Sequence, residues 1–152
     1  MKNAKLYETH IQTRNLEEAV TFYKGLELEL AYFIAERRAA FFWLGDVNNK
    51  EYTLGIWEVS QEHFRSSHFA FHIGYEELLN VPSFLAEKGI ELRPAFGLDN
   101  SEPVVHAWVP AASYYFLDPD GNSLEYITVL GDKPNSELGA VHLSTWKKAI
   151  ME

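Results

Sequence analysis

The sequence predicts an α+β fold made of two tandem modules, each with the order strand, helix and three strands. A capping-box spacing at 15–18 precedes an apolar stripe that ends at Gly25, and a second stripe begins near 74–78 and ends at Gly89. The four residues that begin at each glycine, Gly-Leu-Glu-Leu and Gly-Ile-Glu-Leu, are nearly identical. Self-similarity on this scale indicates a duplicated supersecondary unit.

Alternating apolar runs bounded by turn residues predict the elements of each module. The first module is predicted to contain a strand at 5–13, a helix at 15–25 and strands at 27–36, 38–45 and 52–59. The second is predicted to contain a strand at 67–73, a helix at 75–88 and strands at 90–95, 113–118 and 122–130. Pro82 is expected to dent the second helix, because it lacks an amide donor.

The predicted domain spans residues 1–132, with its modules at 5–59 and 67–130. A long loop at 96–112, with a short strand at 104–108, interrupts the second module, and long loops in compact domains are often functional. Residues 133–152 form a tail with a short helix from Ser144 to Met151. Its apolar side chains need burial, which predicts a homodimer with the tail near the interface. These side chains are Leu138, Val141, Leu143, Trp146 and Ile150.

Composition excludes several classes of function. The 152-residue chain has a net charge of -9 and no run of Lys or Arg, which argues against nucleic-acid binding. No apolar stretch reaches the roughly 18 residues needed to span a bilayer, so a cytoplasmic protein is expected. The absence of cysteine removes thiolate ligands and a cysteine nucleophile, so any thiol must arrive with a substrate or cosubstrate.

Three polar residues interrupt predicted strands: His10, His68 and Glu125. Side chains alternate between the two faces of a strand, so each of these residues lies opposite the bulkier residues of its strand. Two imidazoles and one carboxylate with open positions form a common catalytic site for a divalent metal. The strand patterns therefore indicate a candidate metal centre.

Three motifs make the chain resemble the vicinal oxygen chelate superfamily. They are residues 115–125, which include Asp-Pro-Asp-Gly-Asn, residues 10–23 and residues 68–71. This superfamily includes glyoxalase I, fosfomycin-resistance thiol transferases, bleomycin-resistance proteins and extradiol dioxygenases. The resemblance implies curved mixed sheets that form a cup around one divalent metal (Zn, Ni, Mn, Mg or Fe(II)). It also implies that the metal ligands are His10, His68 and Glu125.

The implied function is a metal-dependent enzyme that acts on a substrate oxygen, as a lyase (lactoylglutathione lyase-like), an isomerase or a thiol transferase. Two alternatives stay open: a non-catalytic protein that sequesters a small molecule, and an Fe(II) extradiol-type dioxygenase. His72, on the face of His68, and Tyr115 are the candidate catalytic residues. His63 and His106 are expected to be solvated surface residues.

Glu58 distinguishes between the branches of the family. Glyoxalase I has a fourth protein ligand on the last strand of its first module. Matching Leu54 to Leu124 pairs Gly55, rather than Glu58, with Glu125. Because Glu58 and Gly55 are three positions apart, their side chains lie on opposite faces. Glu58 is therefore predicted to point away from the metal, leaving a three-ligand site.

Overall fold

The computed structural model describes residues 1–151, which form two compact units. The first unit contains residues 1–67 together with the turn at 118–122. The second unit contains residues 68–117 and the chain from Ser123 onward. Each unit has one open mixed sheet and begins with a strand followed by a helix, as the duplicated pattern predicted.

The first unit has a four-stranded sheet in the order β1-β4-β3-β2, with β1 parallel to β4 and the other pairs antiparallel. Its strands are β1 (Glu8–Thr13), β2 (Glu29–Ile34), β3 (Ala39–Leu44) and β4 (Tyr52–Glu58). Helix α1 (Leu16–Gly25) begins where the Asn15 side chain accepts a hydrogen bond from the Glu18 amide, as the capping motif predicted. Its buried face anchors the helix to the unit through Leu16, Ala19 and Tyr23.

The Asp-Pro-Asp-Gly-Asn turn is part of the first unit's core. The Tyr23 hydroxyl donates a hydrogen bond to the Asp118 carboxylate at 2.8 Å, and both residues are buried. Asn122 is fully buried and its amide donates to the Gln12 carbonyl at 3.0 Å and to Asp118 at 2.7 Å. The turn therefore provides hydrogen-bond partners for polar groups that are buried in the first unit.

The second unit has a five-stranded sheet in the order β5-β8-β7-β6-β9, with β5 parallel to β8. Its strands are β5 (His68–His72), β6 (Val104–His106), β7 (Ala111–Leu117), β8 (Ser123–Val129) and β9 (Ala140–His142). Helix α2 (Tyr75–Glu87) is assigned without interruption through Pro82 and buries Leu78, Val81 and Leu85. Helix α3 (Leu143–Ala149) follows β9.

One expectation about the second unit was wrong. Residues 90–95 do not form a strand and make only isolated bridges, from Arg93 to Tyr115 and from Ala95 to Leu98. Pro94 cannot donate to a ladder, and the chain then turns sharply with positive φ at Phe96 and Gly97. In the tail, β9 pairs with β6, a strand pairing that the apolar pattern did not reveal.

The tail buries its largest side chains within the second unit. Trp146 is 1% exposed and Leu143 is 5% exposed, while Ile150 remains exposed. The Trp146 indole donates to Asp132 at 2.9 Å. The tail therefore leaves little of its apolar surface for a partner subunit to cover. The homodimer stays a prediction. None of the described helices is long and apolar enough to cross a membrane.

Candidate active site

His68 and Glu125 lie together in the second unit. The parallel register pairs His68 with Ser123, which places Glu125 two residues further along β8 on the same face. His68 Nδ1 is 2.9 Å from the Ser123 carbonyl oxygen, and Nε2 is 3.1 Å from Glu125 Oε2. Because a carbonyl only accepts, the proton is assigned to Nδ1 and the Nε2 lone pair faces the carboxylate. Two acceptors in contact require a shared cation, either a proton or a metal ion.

Tyr115 and His106 extend this pair into a chain of four polar side chains. Tyr115 on β7 lies opposite Glu125, and its hydroxyl donates to Glu125 Oε1 at 3.0 Å. His106 Nε2 lies 2.5 Å from the same hydroxyl oxygen. The hydroxyl proton is already given to Glu125, so His106 Nε2–H donates to the oxygen. Burial and the negative charge of Glu125 raise the pKa of Tyr115 above its usual value.

His106 was wrongly expected to be a solvated surface histidine. It ends β6 and is only partly exposed, with the Phe96 ring edge-on at a centroid distance of 4.8 Å. The sequence signal was weak because β6 has three residues and follows a long irregular segment. The two valines before His106 were the available sign of a buried strand.

These four residues line a cavity of about 710 Å³ that lies wholly within the second unit. Its volume is in the usual range for small-molecule sites, and its wall is mainly apolar with a few convergent polar groups. The other lining residues are Arg93, Pro94, Ala95, Phe96, Trp108, Val109, Phe116, Leu117, Ser123 and Ile127. The arrangement can hold a small organic molecule and exchange a proton with it at His106.

His10 belongs to the first unit, on β1 opposite Gly55 of β4. A Cβ atom at Gly55 would lie 3.0 Å from the His10 ring, so glycine leaves the space that this ring fills. His10 Nδ1 accepts a hydrogen bond from the Trp57 indole at 2.8 Å, and Nε2 is 2.6 Å from Glu8 Oε1. Because the indole only donates, the ring proton is assigned to Nε2, which leaves no free lone pair for a metal.

Glu8 and Glu58 are each held by neighbours within the first unit. The hydrogen bond from the Thr53 hydroxyl has the largest effect on Glu8 and lowers its pKa. The hydrogen bond with His10 lowers this pKa further. Glu58 accepts two hydrogen bonds from Arg38, at 2.9 and 2.7 Å, and one from the Leu16 amide at 2.8 Å. The hydrogen bonds from Arg38, and to a smaller extent the one from the Leu16 amide, lower the pKa of Glu58. The Glu58 carboxylate is thus held by Arg38 and by the first amide of α1.

The strand registers correct the alignment used for Glu58. His10 lies opposite Gly55 and His68 lies opposite Ser123. Counted from the two histidines, the position equivalent to Glu125 is therefore Trp57, and not Gly55. Trp57 contacts His10 as Glu125 contacts His68. Glu58 is next to Trp57 and so lies on the opposite face, as expected from strand parity.

The residues of the second unit fit a metal ion better than His10 does. A metal-binding histidine usually donates its other ring N–H to a carbonyl or carboxylate, as His68 does to Ser123. Among residues 1–151, no group of three or more His, Cys, Asp or Glu side chains is arranged to hold a metal. The ligand set of His10, His68 and Glu125 therefore stays a prediction.

His72 is the predicted catalytic candidate that the structure does not bring into this network. It is exposed at the end of β5 and does not line the cavity. Within the described part of the chain its side chain makes no hydrogen bond or ion pair. Tyr115, the other candidate, is in the network through Glu125 and His106.

Comparison with known proteins identifies the fold. No protein-family model and no curated protein matches the chain. An integron cassette protein from the mobile metagenome of the Halifax Harbour sewage outfall is similar in structure, with 27% identity and a TM-score of 0.70. The match covers 82% of this chain and 98% of that one.

Two further solved structures carry family names. A glyoxalase/bleomycin resistance protein/dioxygenase from Nocardioides has 21% identity and a TM-score of 0.62, covering 88% of this chain and 89% of that one. Lactoylglutathione lyase from Agrobacterium tumefaciens has 19% identity and a TM-score of 0.63, covering 84% and 96%. The fold is therefore that of the glyoxalase/bleomycin resistance/dioxygenase proteins, as the sequence predicted.

Proposed function

We propose that this chain is an enzyme that converts a small organic molecule in the cavity of the second unit with the help of one divalent metal ion. The observation that carries the proposal is the His68–Glu125 contact, in which His68 Nε2 and a Glu125 carboxylate oxygen lie 3.1 Å apart and can share a cation. Similar structures include a lactoylglutathione lyase and a fosfomycin resistance protein, which supports an enzymatic activity in this fold. The reaction class is a lyase, isomerase or thiol transferase reaction.

In this proposal the metal is held by His68 and Glu125, with His10 as the third ligand predicted from the sequence. A metal at this position would act as a Lewis acid that stabilises negative charge on a substrate oxygen. The ring nitrogen and carboxylate oxygens suit Zn, Ni, Mn or Fe(II), while Mg favours oxygen ligands. A thiol cosubstrate would have to come from outside, because the chain contains no cysteine.

The protein's own residues would move the proton. Tyr115 stays protonated because its pKa is raised, so its hydroxyl acts as a hydrogen-bond donor to Glu125 rather than as a base. His106 lies on the other side of that hydroxyl and is partly open to the cavity. It is therefore the group best placed to take a proton from a bound molecule or return one to it.

A metal-free binding protein, which would sequester its ligand, is the second candidate. The observation that favours it is the hydrogen bonding of His10, whose two ring nitrogens are occupied by Trp57 and Glu8. To bind a metal, His10 would have to lose the hydrogen bond from Trp57 or give up its ring proton. An Fe(II) dioxygenase would use the same ligands and is distinguished by its metal.

Metal content after purification in metal-replete medium tests the proposal. We expect about one divalent ion per wild-type chain, and loss of that ion in His68→Ala. His72→Ala is the matched control, because His72 lies on the same strand and has no described partner. Wild-type occupancy in His68→Ala would contradict the proposal. A metal-free wild type that still binds small molecules would favour the sequestering protein.

A further inference from the structure

The cavity of the second unit contains a cation without a partner. Arg93 lines the cavity and is exposed, and its backbone amide is fixed by a 2.8 Å hydrogen bond to the Tyr115 carbonyl. Its guanidinium makes no hydrogen bond or ion pair with any described residue. In a protein with a net charge of -9, this arginine places a positive charge at the cavity wall. Arginine binds carboxylates and other planar anions with two parallel hydrogen bonds.

Two large aromatic side chains line the same cavity and are mainly exposed. Phe96 is 64% exposed and Trp108 is 67% exposed, although both belong to the cavity wall. Most of the unit's other aromatic side chains, such as Phe116, are buried in its core. Exposed aromatic surface inside a concave site is available to stack against the apolar body of a ligand.

The backbone at Phe96 supports a role beyond packing. Phe96 has a φ of 54°, an unusual conformation for a bulky residue, at the tip of a turn closed by two hydrogen bonds between Ala95 and Leu98. Strained backbone of this kind is concentrated at ligand-binding positions. The turn brings the Phe96 ring edge-on to His106 and to Tyr115, at centroid distances of 4.8 and 5.9 Å. Phe96 is thus held at the polar chain of the site.

We propose that the cavity selects a small aromatic acid, with its ring against Phe96 and Trp108 and its anionic group on Arg93. The inference rests on the proposed function for its site and adds the class of substrate. Arg93 is available to the anionic group of the ligand, because it forms no ion pair with Glu125 in the described structure. The carboxylate of Glu125 instead contacts His68 and Tyr115.

Binding of a probe pair to metal-free full-length protein tests this inference. The probes are a fluoronaphthoate and the neutral fluoronaphthamide of the same shape, followed by fluorine NMR at millimolar concentration. We expect the acid to bind about tenfold more tightly than the amide, as for a charge-assisted contact near a surface. Arg93→Gln should abolish this preference, while Arg37→Gln, which removes the same charge from the first unit, should retain it.

Phe96→Leu and Trp108→Leu should each weaken both probes roughly threefold to tenfold, because they remove aromatic contact and keep the charge. Equal binding of acid and amide, an unchanged preference in Arg93→Gln, or no binding of either probe would overturn the inference. Because these measurements use no metal, they are independent of the metal analysis above. A metal-free wild type would contradict the proposed function and leave the selection of an aromatic acid standing.

Discussion

Removal of one hydroxyl group, in Tyr115→Phe, should destabilise the second unit measurably. This hydroxyl is the donor to Glu125 Oε1 and the acceptor for His106 Nε2–H. The Glu125 side chain is 7% exposed, so its oxygen would lose a partner where water has little access. A hydrogen bond to a charged group contributes about 1.5–3 kcal/mol.

Water in the adjoining cavity can replace part of the lost bond, which favours the lower half of that range. We expect a loss of about 1.5–2 kcal/mol in the free energy of unfolding. For a chain of this size, each kcal/mol corresponds to roughly 2–4 °C in Tm. Urea unfolding followed by tryptophan fluorescence, with thermal melting as a second probe, provides the measurement.

Tyr114→Phe is the matched control, because Tyr114 is buried on the next position of the same strand. Its hydroxyl has no hydrogen-bond partner among the described side chains. We expect this control to change the free energy of unfolding by less than about 0.5 kcal/mol. Equal destabilisation by the two substitutions, or wild-type stability in Tyr115→Phe, would refute the hydrogen-bonded chain as described.

Three other predictions concern stability and assembly. Glu58 has a lowered pKa in the folded state, so its contribution is present above pH about 4.5 and is lost as pH falls through the folded pKa. Arg38→Gln should therefore lower the free energy of unfolding at neutral pH and reduce its loss in acid, as measured by urea unfolding at several pH values; an unchanged pH profile would contradict this. Trp146→Ala should cost about 3–5 kcal/mol, because the side chain is 1% exposed. Sedimentation of the full-length chain is expected to show a homodimer, and a monomer at micromolar concentration would remove that prediction.

The sequence predicted the repeated elements well because their signals are local. The Asn15 cap, the apolar stripes of the two helices and the alternation in β5 and β8 each depend on a few neighbouring residues. The irregular segment between α2 and β7 could not be predicted in the same way. There Pro94 prevents a regular ladder and Phe96 adopts a left-handed backbone that residue type does not indicate.

The candidate site was predicted only in part, for a physical reason. Strand parity identified His68 and Glu125, since both lie on one face of paired strands. Parity cannot show which hydrogen bonds a side chain makes, so the contacts of His10 with Trp57 and Glu8 were not foreseen. His106 enters the site through the pairing of β6 with β7, a contact between strands that local sequence does not encode.

A crystal structure of metal-loaded protein, with anomalous data at the absorption edge of the metal, tests the central claim most directly. We expect one anomalous peak within about 2.0–2.3 Å of both His68 Nε2 and a Glu125 carboxylate oxygen. We also expect His68 Nδ1 to keep its hydrogen bond to the Ser123 carbonyl. A fully loaded crystal with no peak at this pair, or with the metal bound only elsewhere, would contradict the account.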